Sequence, residues 1–192
     1  MGGLPVRRKW YVIALLFLLI VAGVLVIVRK ENSRCSIEAL AVDEKWMPEG
    51  WQNDDTFAFT LLPEQNRSGA QQALYVPMDN EHYTAYHTVY LYPNKWLAVF
   101  HIWFYREKFF PSVGWEWSEL EGSRNLPLHA DQWQVKCGVG NYSLLGNRCA
   151  AVLRYGPYVS DFSSSIQEGV MSTEEFEEIV LEIDELFSSC EE

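Results

Sequence analysis

"WLAVFHIWFY", Trp96 to Tyr105, is ten residues without a formal charge, closed at once by Arg106, Glu107 and Lys108. Taken with a period of two, it places Trp96, Ala98, Phe100, Ile102 and Phe104 on one side. Leu97, Val99, His101, Trp103 and Tyr105 fall on the other. Both sides are apolar, which is the pattern of a strand covered on both faces in the middle of a sheet. As a helix the stretch is too short to cross a bilayer. Pro93-Asn94-Lys95 reads as a turn joining it to "HTVYLY" (87–92), so the expectation is a hairpin with His101 as a core histidine.

Strand signals continue on both sides of this stretch. Ala58 to Leu62 and Ala73 to Met78 read as short strands, and "CAAVLRY" (149–155) turns at Gly156-Pro157 into "YVSDFSSSI" (158–166). The intervals are too short for crossover helices, so the sheet is expected to be antiparallel. Cys35 to Lys45 reads as a short helix, broken by Pro48 and Gly50.

The closing segment is the clearest helix. Ser172 and Glu175 form a capping box, Met171 and Phe176 stand as a hydrophobic staple, and Phe176, Ile179, Val180, Ile183, Leu186 and Phe187 make one apolar stripe. The opposite face carries seven acids and no base, so the stripe must lie on the sheet. The expected fold class is α+β: one N-terminal transmembrane helix, then a central antiparallel sheet packed against a C-terminal amphipathic helix.

The transmembrane helix is read from "WYVIALLFLLIVAGVLVIV", Trp10 to Val28, an unbroken apolar run of 19 residues flanked by Arg7, Arg8, Lys9, Arg29 and Lys30. At about 1.5 Å per residue it covers a hydrocarbon core of roughly 30 Å. No small-residue cleavage site ends it, and Arg34 rather than a small residue precedes Cys35, so an uncleaved signal-anchor is expected. The organisation is then a basic tail at 1–9, a transmembrane helix at 10–28, a juxtamembrane linker at 29–34 and an extracytoplasmic domain at 35–192. The very short tail and four dispersed cysteines favour the domain lying outside. From Glu31 onward, 26 acids face ten Lys and Arg, a formal charge of −16. A domain of that sign repels a phosphate backbone, which excludes nucleic acid as a partner.

Cys35, Cys137, Cys149 and Cys190 contain no C-x-x-C pair. Cys137 and Cys149 flank one loop and are expected on neighbouring strands, which leaves Cys35 to pair with Cys190. In "FFPSVGWEW", Pro111 and Gly114 place Phe109, Phe110, Trp115 and Trp117 on a bend or loop. Aromatics on such a loop are candidate partner contacts; the alternative is that they fold back over the sheet. For chemistry there is little. The four histidines, His82, His87, His101 and His129, have no H-E-x-x-H spacing, and no G-x-S-x-G, S-x-x-K, P-loop or G-x-G-x-x-G occurs. No catalytic residue, metal ligand set or cofactor is assigned.

"WMPEGWQ" around Met47 to Trp51, the hairpin "RCAAVLRYGPYVSDFSSSI" and the acidic helix "STEEFEEIVLEIDELF" give the chain a layout over much of residues 35–190. It resembles bacterial membrane-tethered extracytoplasmic domains of the PsbP-like or small-lipoprotein kind. The resemblance implies a non-enzymatic binding or accessory module with a central antiparallel sheet. It departs at Cys35, which lacks a lipobox. The expected function is a single-pass, non-catalytic accessory subunit, held in the bilayer by residues 10–28 and contacting another protein of a membrane complex. The alternative is a tethered receptor for a small ligand, with a pocket near His101, Trp103 and Tyr105. A tethered hydrolase comes third and requires two carboxylates, or a His–carboxylate pair, within hydrogen-bond reach.

Overall fold

In the computed structural model, residues 11–18, 21, 35–53, 68–78, 81–104, 109–120, 126–140 and 146–190 are described. Their core is an antiparallel sheet built from β1 (Gln52–Asn53), β2 (Ser68–Met78), β3 (Glu81–Leu91), β4 (Trp115–Glu119), β5 (Gln132–Gly140), β6 (Asn147–Tyr155) and β7 (Tyr158–Ile166). The spatial order is β1-β2-β3-β7-β6-β5-β4. Two helices accompany it: α1 (Lys95–Phe104) and α2 (Thr173–Ser188). The expected strands at 73–78, 149–155 and 158–166 are present, and the β6–β7 turn uses Gly156 at φ 51°. The strand expected at Ala58–Leu62 lies outside the described residues.

Alternation along the strands gives the sheet two apolar faces. Cys149, Ala151, Leu153 and Tyr155 of β6, with Tyr158 and Phe162 of β7, point to the first face. Ala150 and Val152 of β6, with Val159 of β7, point to the second. The first face is covered by α2 as its apolar stripe requires: Phe176, Ile179, Val180, Ile183 and Phe187 are all buried. The capping box is formed, with Glu175 N–H donating to Ser172 Oγ at 3.1 Å and Ser172 N–H donating to Glu175 Oε2 at 2.7 Å.

The segment 35–51 lies on the same face, with Ile37, Leu40, Val42, Met47 and Trp51 buried there. Instead of the expected helix over 35–45 it makes two single 3-10 turns, Glu38–Leu40 and Glu44–Trp46. The chain straightens between them for two reasons. The Val42 N–H is spent on His87 Nδ1 at 3.2 Å, and Asp43 turns its carboxylate back onto Lys45 N–H at 3.0 Å. The Trp51 indole N–H then donates to the Val170 carbonyl at 3.0 Å, tying this segment to the approach to α2.

The largest difference from expectation is at 95–104, which is helix α1 and not a central strand. Asn94, buried, caps it: its Oδ1 accepts from Trp96 N–H and Leu97 N–H, both at 3.1 Å. Pro93-Asn94 is therefore a helix start and not a hairpin turn. A ten-residue apolar run satisfies both periods, so the cap decides between them. α1 lies on the second face with Ala98 fully buried against the sheet, and His101 remains a core histidine as expected, 5 % exposed.

Both expected disulfides are formed. Cys137 and Cys149 stand directly opposite one another on β5 and β6, and Cys35 joins Cys190 just past α2, with Cα atoms 5.7 Å apart. Residues 11–18 are helical with exposed apolar side chains such as Tyr11, Leu15 and Phe17. Among the described residues no helix is long and apolar enough to cross a membrane; most of the rest of the apolar run 10–28 lies outside them.

Candidate binding surface

The second face of the sheet carries every aromatic residue singled out as a partner contact, in places that differ from a free loop. Phe109 and Phe110 are buried, 5 % and 6 % exposed, beneath α1 and against Val152 and Val159. They are core residues, as the fold-back alternative has it. Trp115 and Trp117 belong to strand β4 and not to a loop, and both are half-buried.

Their positions have a packing logic. Trp117 stands opposite Gly138 and Trp115 opposite Gly140 on β5. A Cβ on Gly138 would come within 2.9 Å of the Trp117 indole, so the ring lies over bare backbone. Trp117 also stacks on Trp115 at 5.5 Å, meets Phe110 edge-on at 5.5 Å and donates its N–H to the Pro111 carbonyl at 2.8 Å. Lys136 Nζ lies 5.0 Å from the Phe110 ring, a cation–π contact.

What the face exposes is α1. Ala98 and His101 point inward, and His101 is held among the rings of Tyr90, Tyr92 and Phe109 at 5.2–5.5 Å. On the far side Trp96, Phe100, Trp103 and Phe104 follow i, i+4, i+7, i+8 spacing and are 48 %, 48 %, 75 % and 65 % exposed. Phe100 stacks on Phe104 and Trp103 meets Phe104 edge-on, so the four form one apolar stripe. A helix apolar all round normally has both sides covered, and here only one is.

Beside the C-terminal end of α1 is a groove of about 330 Å³. Ile102, Trp103, Phe109, Phe110, Trp133 and Val152 supply apolar walls, and Gln132 and Gln134 supply polar ones. This adjoins the place where a ligand pocket is expected near His101 and Trp103; Tyr105 lies outside the described residues.

A His–carboxylate pair is also present, on the other side of the molecule. Asp184 of α2 is buried and accepts from the amides of His129 (2.8 and 3.0 Å) and Ala130 (3.1 Å), and from Tyr155 Oη (2.7 Å). The ring Nδ1 of His129 lies 2.7 Å from Asp184 Oδ2. These donors use the carboxylate to hold the 126–131 segment onto α2, and the arrangement works as an anchor between the two. His87 is likewise structural. Its Nδ1 accepts from Val42, so the proton is on Nε2, which donates to Ser160 Oγ at 2.9 Å. Burial pushes its pKa down from 6.5 to about 3. Among the described residues no three His, Cys, Asp or Glu side chains come together as a metal site.

The chain matches no known protein family and no curated protein. Its fold is similar to that of the extracellular domain of PknH from Mycobacterium tuberculosis, known from a crystal structure. The TM-score is 0.56 at 12 % sequence identity, covering 84 % of this chain and 99 % of that one. At that identity the likeness is one of fold.

Proposed function

We propose that the chain is a single-pass, membrane-anchored, non-catalytic binding module. In this reading residues 35–192 stand on the extracytoplasmic side and dock at the membrane surface as part of a larger assembly. The observation that carries it is the uncovered aromatic stripe of α1, which gives a folded domain a contact face of the composition found at interface centres. Two disulfides and no free cysteine favour an oxidising compartment. The apolar run 10–28 favours an anchor, and the fold neighbour is itself an extracellular domain. The contact face thus moves from Phe109 and Phe110, which are core, to the neighbouring helix.

The test is site-specific photo-crosslinking in living cells, with a benzophenone side chain at position 103 and, as a comparison, at 115. Adducts with a membrane component from 103 and few from 115 are expected. Equal or absent adducts would sink the docking role. A second reading, a receptor for a small ligand, is favoured by the groove between α1 and β5. A small molecule that raises the unfolding temperature of the wild-type chain but not of a Gln134→Ala variant would support it.

A further inference from the structure

We infer that the lipid bilayer itself covers the exposed stripe of α1, so that this helix lies in the outer interface of the same membrane that holds the anchor. The inference rests on the tethered reading above and names what the tethered domain docks against.

The sheet topology supplies the geometry. β3 ends, β5 begins and the β6–β7 turn lies at one end of the sheet, because Leu91 pairs with Tyr158 and Gln132 pairs with Arg154. α1 crosses the second face at that end. It starts just after Tyr92, whose N–H donates to the Pro157 carbonyl of the turn at 3.0 Å, and it finishes beside Gln132 and Val152. The tether joins the domain at the same end. The Cys35 backbone exchanges hydrogen bonds with Tyr158 Oη, 3.3 Å to its N–H and 3.0 Å to its carbonyl. The linker 29–34 has six residues and reaches at most about 20 Å when extended. Cys35 lies on the first face and α1 on the second. Packed layers are about 10 Å apart, so a leash of that reach can pass the end of the sheet and hold the α1 end of the domain close to the membrane surface.

The chemistry of the stripe suits that place. Trp and Phe are the side chains of membrane-interface belts, and a short helix presenting them in a row inserts in the plane of the interface. Charge agrees. The domain as a whole is strongly acidic, yet from Leu91 to Val113 the sequence holds Lys95, Arg106 and Lys108 against the single acid Glu107. Lys95 is exposed at the start of α1. The stretch that holds α1 is thus apolar and locally basic within an acidic chain, the combination that suits phosphate headgroups.

The test places the full chain in nanodiscs of phosphatidylcholine with a minority of phosphatidylglycerol, with and without brominated acyl chains. Bromolipid quenching of tryptophan emission is measured for the wild type, W96Q/W103Q and W115F. Trp96 and Trp103 are exposed, so their replacement leaves the core intact, and retained circular dichroism and disulfides check this. Trp115 sits at the opposite end of the sheet, opposite Gly140. The expected result is that W96Q/W103Q lowers the quenchable signal by at least about twofold, leaving a residue from Trp10, while W115F does not. Equal quenching in all three chains, with the membrane still holding the protein at alkaline pH, overturns the inference and keeps the tether. Release at alkaline pH with no quenching overturns both. Benzophenone adducts from position 103 that are protein and not lipid also overturn it, in favour of a protein cover.

Discussion

Acid should destabilise this domain through one side chain, His87. It is 1 % exposed, on β3 under the rings of Phe162 and Phe187, and both ring nitrogens are committed in the neutral form. A second proton would set an N–H against the Val42 N–H. The folded pKa is about 3 against 6.5 in the unfolded chain. The unfolded state takes up the proton first, so this group's contribution is complete above pH 6.5 and is lost as pH falls from there toward 3. The slope approaches about 1.4 kcal/mol per pH unit, and between pH 7 and pH 4.5 the loss is about 2.5 kcal/mol. That is a large part of a typical domain's 5–15 kcal/mol. The measurement is urea unfolding by tryptophan fluorescence at pH 7 and pH 4.5, for the wild type and H87N. Asn can still accept from Val42 but leaves a small void and an unpartnered Ser160, costing about 2–3 kcal/mol at pH 7. Carboxylate effects are common to both proteins and cancel in the difference. The gap between them should therefore close by about 2.5 kcal/mol on acidification. A gap of the same size at both pH values would refute the argument.

Three further outcomes follow from the packing. C35S/C190S should lower stability by about 3–5 kcal/mol, read from the urea midpoint, because the bond closes a loop of sequence separation 155. D184N should cost about 2–4 kcal/mol and accelerate hydrogen exchange at the His129 and Ala130 amides, both of which donate to that carboxylate. Unchanged exchange there would contradict the anchoring role. G138A should cost about 1–3 kcal/mol and alter the near-ultraviolet circular dichroism of the Trp115–Trp117 stack; combining it with W117A, which removes the clashing ring, should cost less than the sum of the two.

How much of this was open to reading in the sequence depends on how many independent signals each element carries. α2 has a cap, a staple and a six-residue stripe that agree, and Gly156-Pro157 between two β-rich runs marks a hairpin unaided. The disulfide partners follow from chain position. α1 carries conflicting signals: its residues favour β-structure one by one, its apolar character is the same at either period, and only Asn94 at the cap distinguishes them. The strand β4 is short and lies at the sheet edge, where Trp-Glu-Trp alternation is hidden behind Pro111 and Gly114. The exposed stripe depended on both, because a strand at 96–105 has no outward side left to show. Reading the Pro-Asn pair as a helix start would have revealed Trp96, Phe100, Trp103 and Phe104 as one row. The groove and the Asp184 anchor join residues far apart in the chain, and no local pattern announces either.

The Cys35–Cys190 bond has a mechanical meaning. In the tethered reading proposed above, load enters the domain at Cys35, a residue bonded covalently to the far end of α2. Tension arriving at Cys35 divides between two parallel routes, the 36–51 segment and the last helix, both seated on the same face of the sheet. Neither end can be peeled away while the other holds. On that reading the domain hangs from its leash as a closed ring does from a hook, and a pull that would unzip an open chain strand by strand must instead shear a whole layer from the sheet at once.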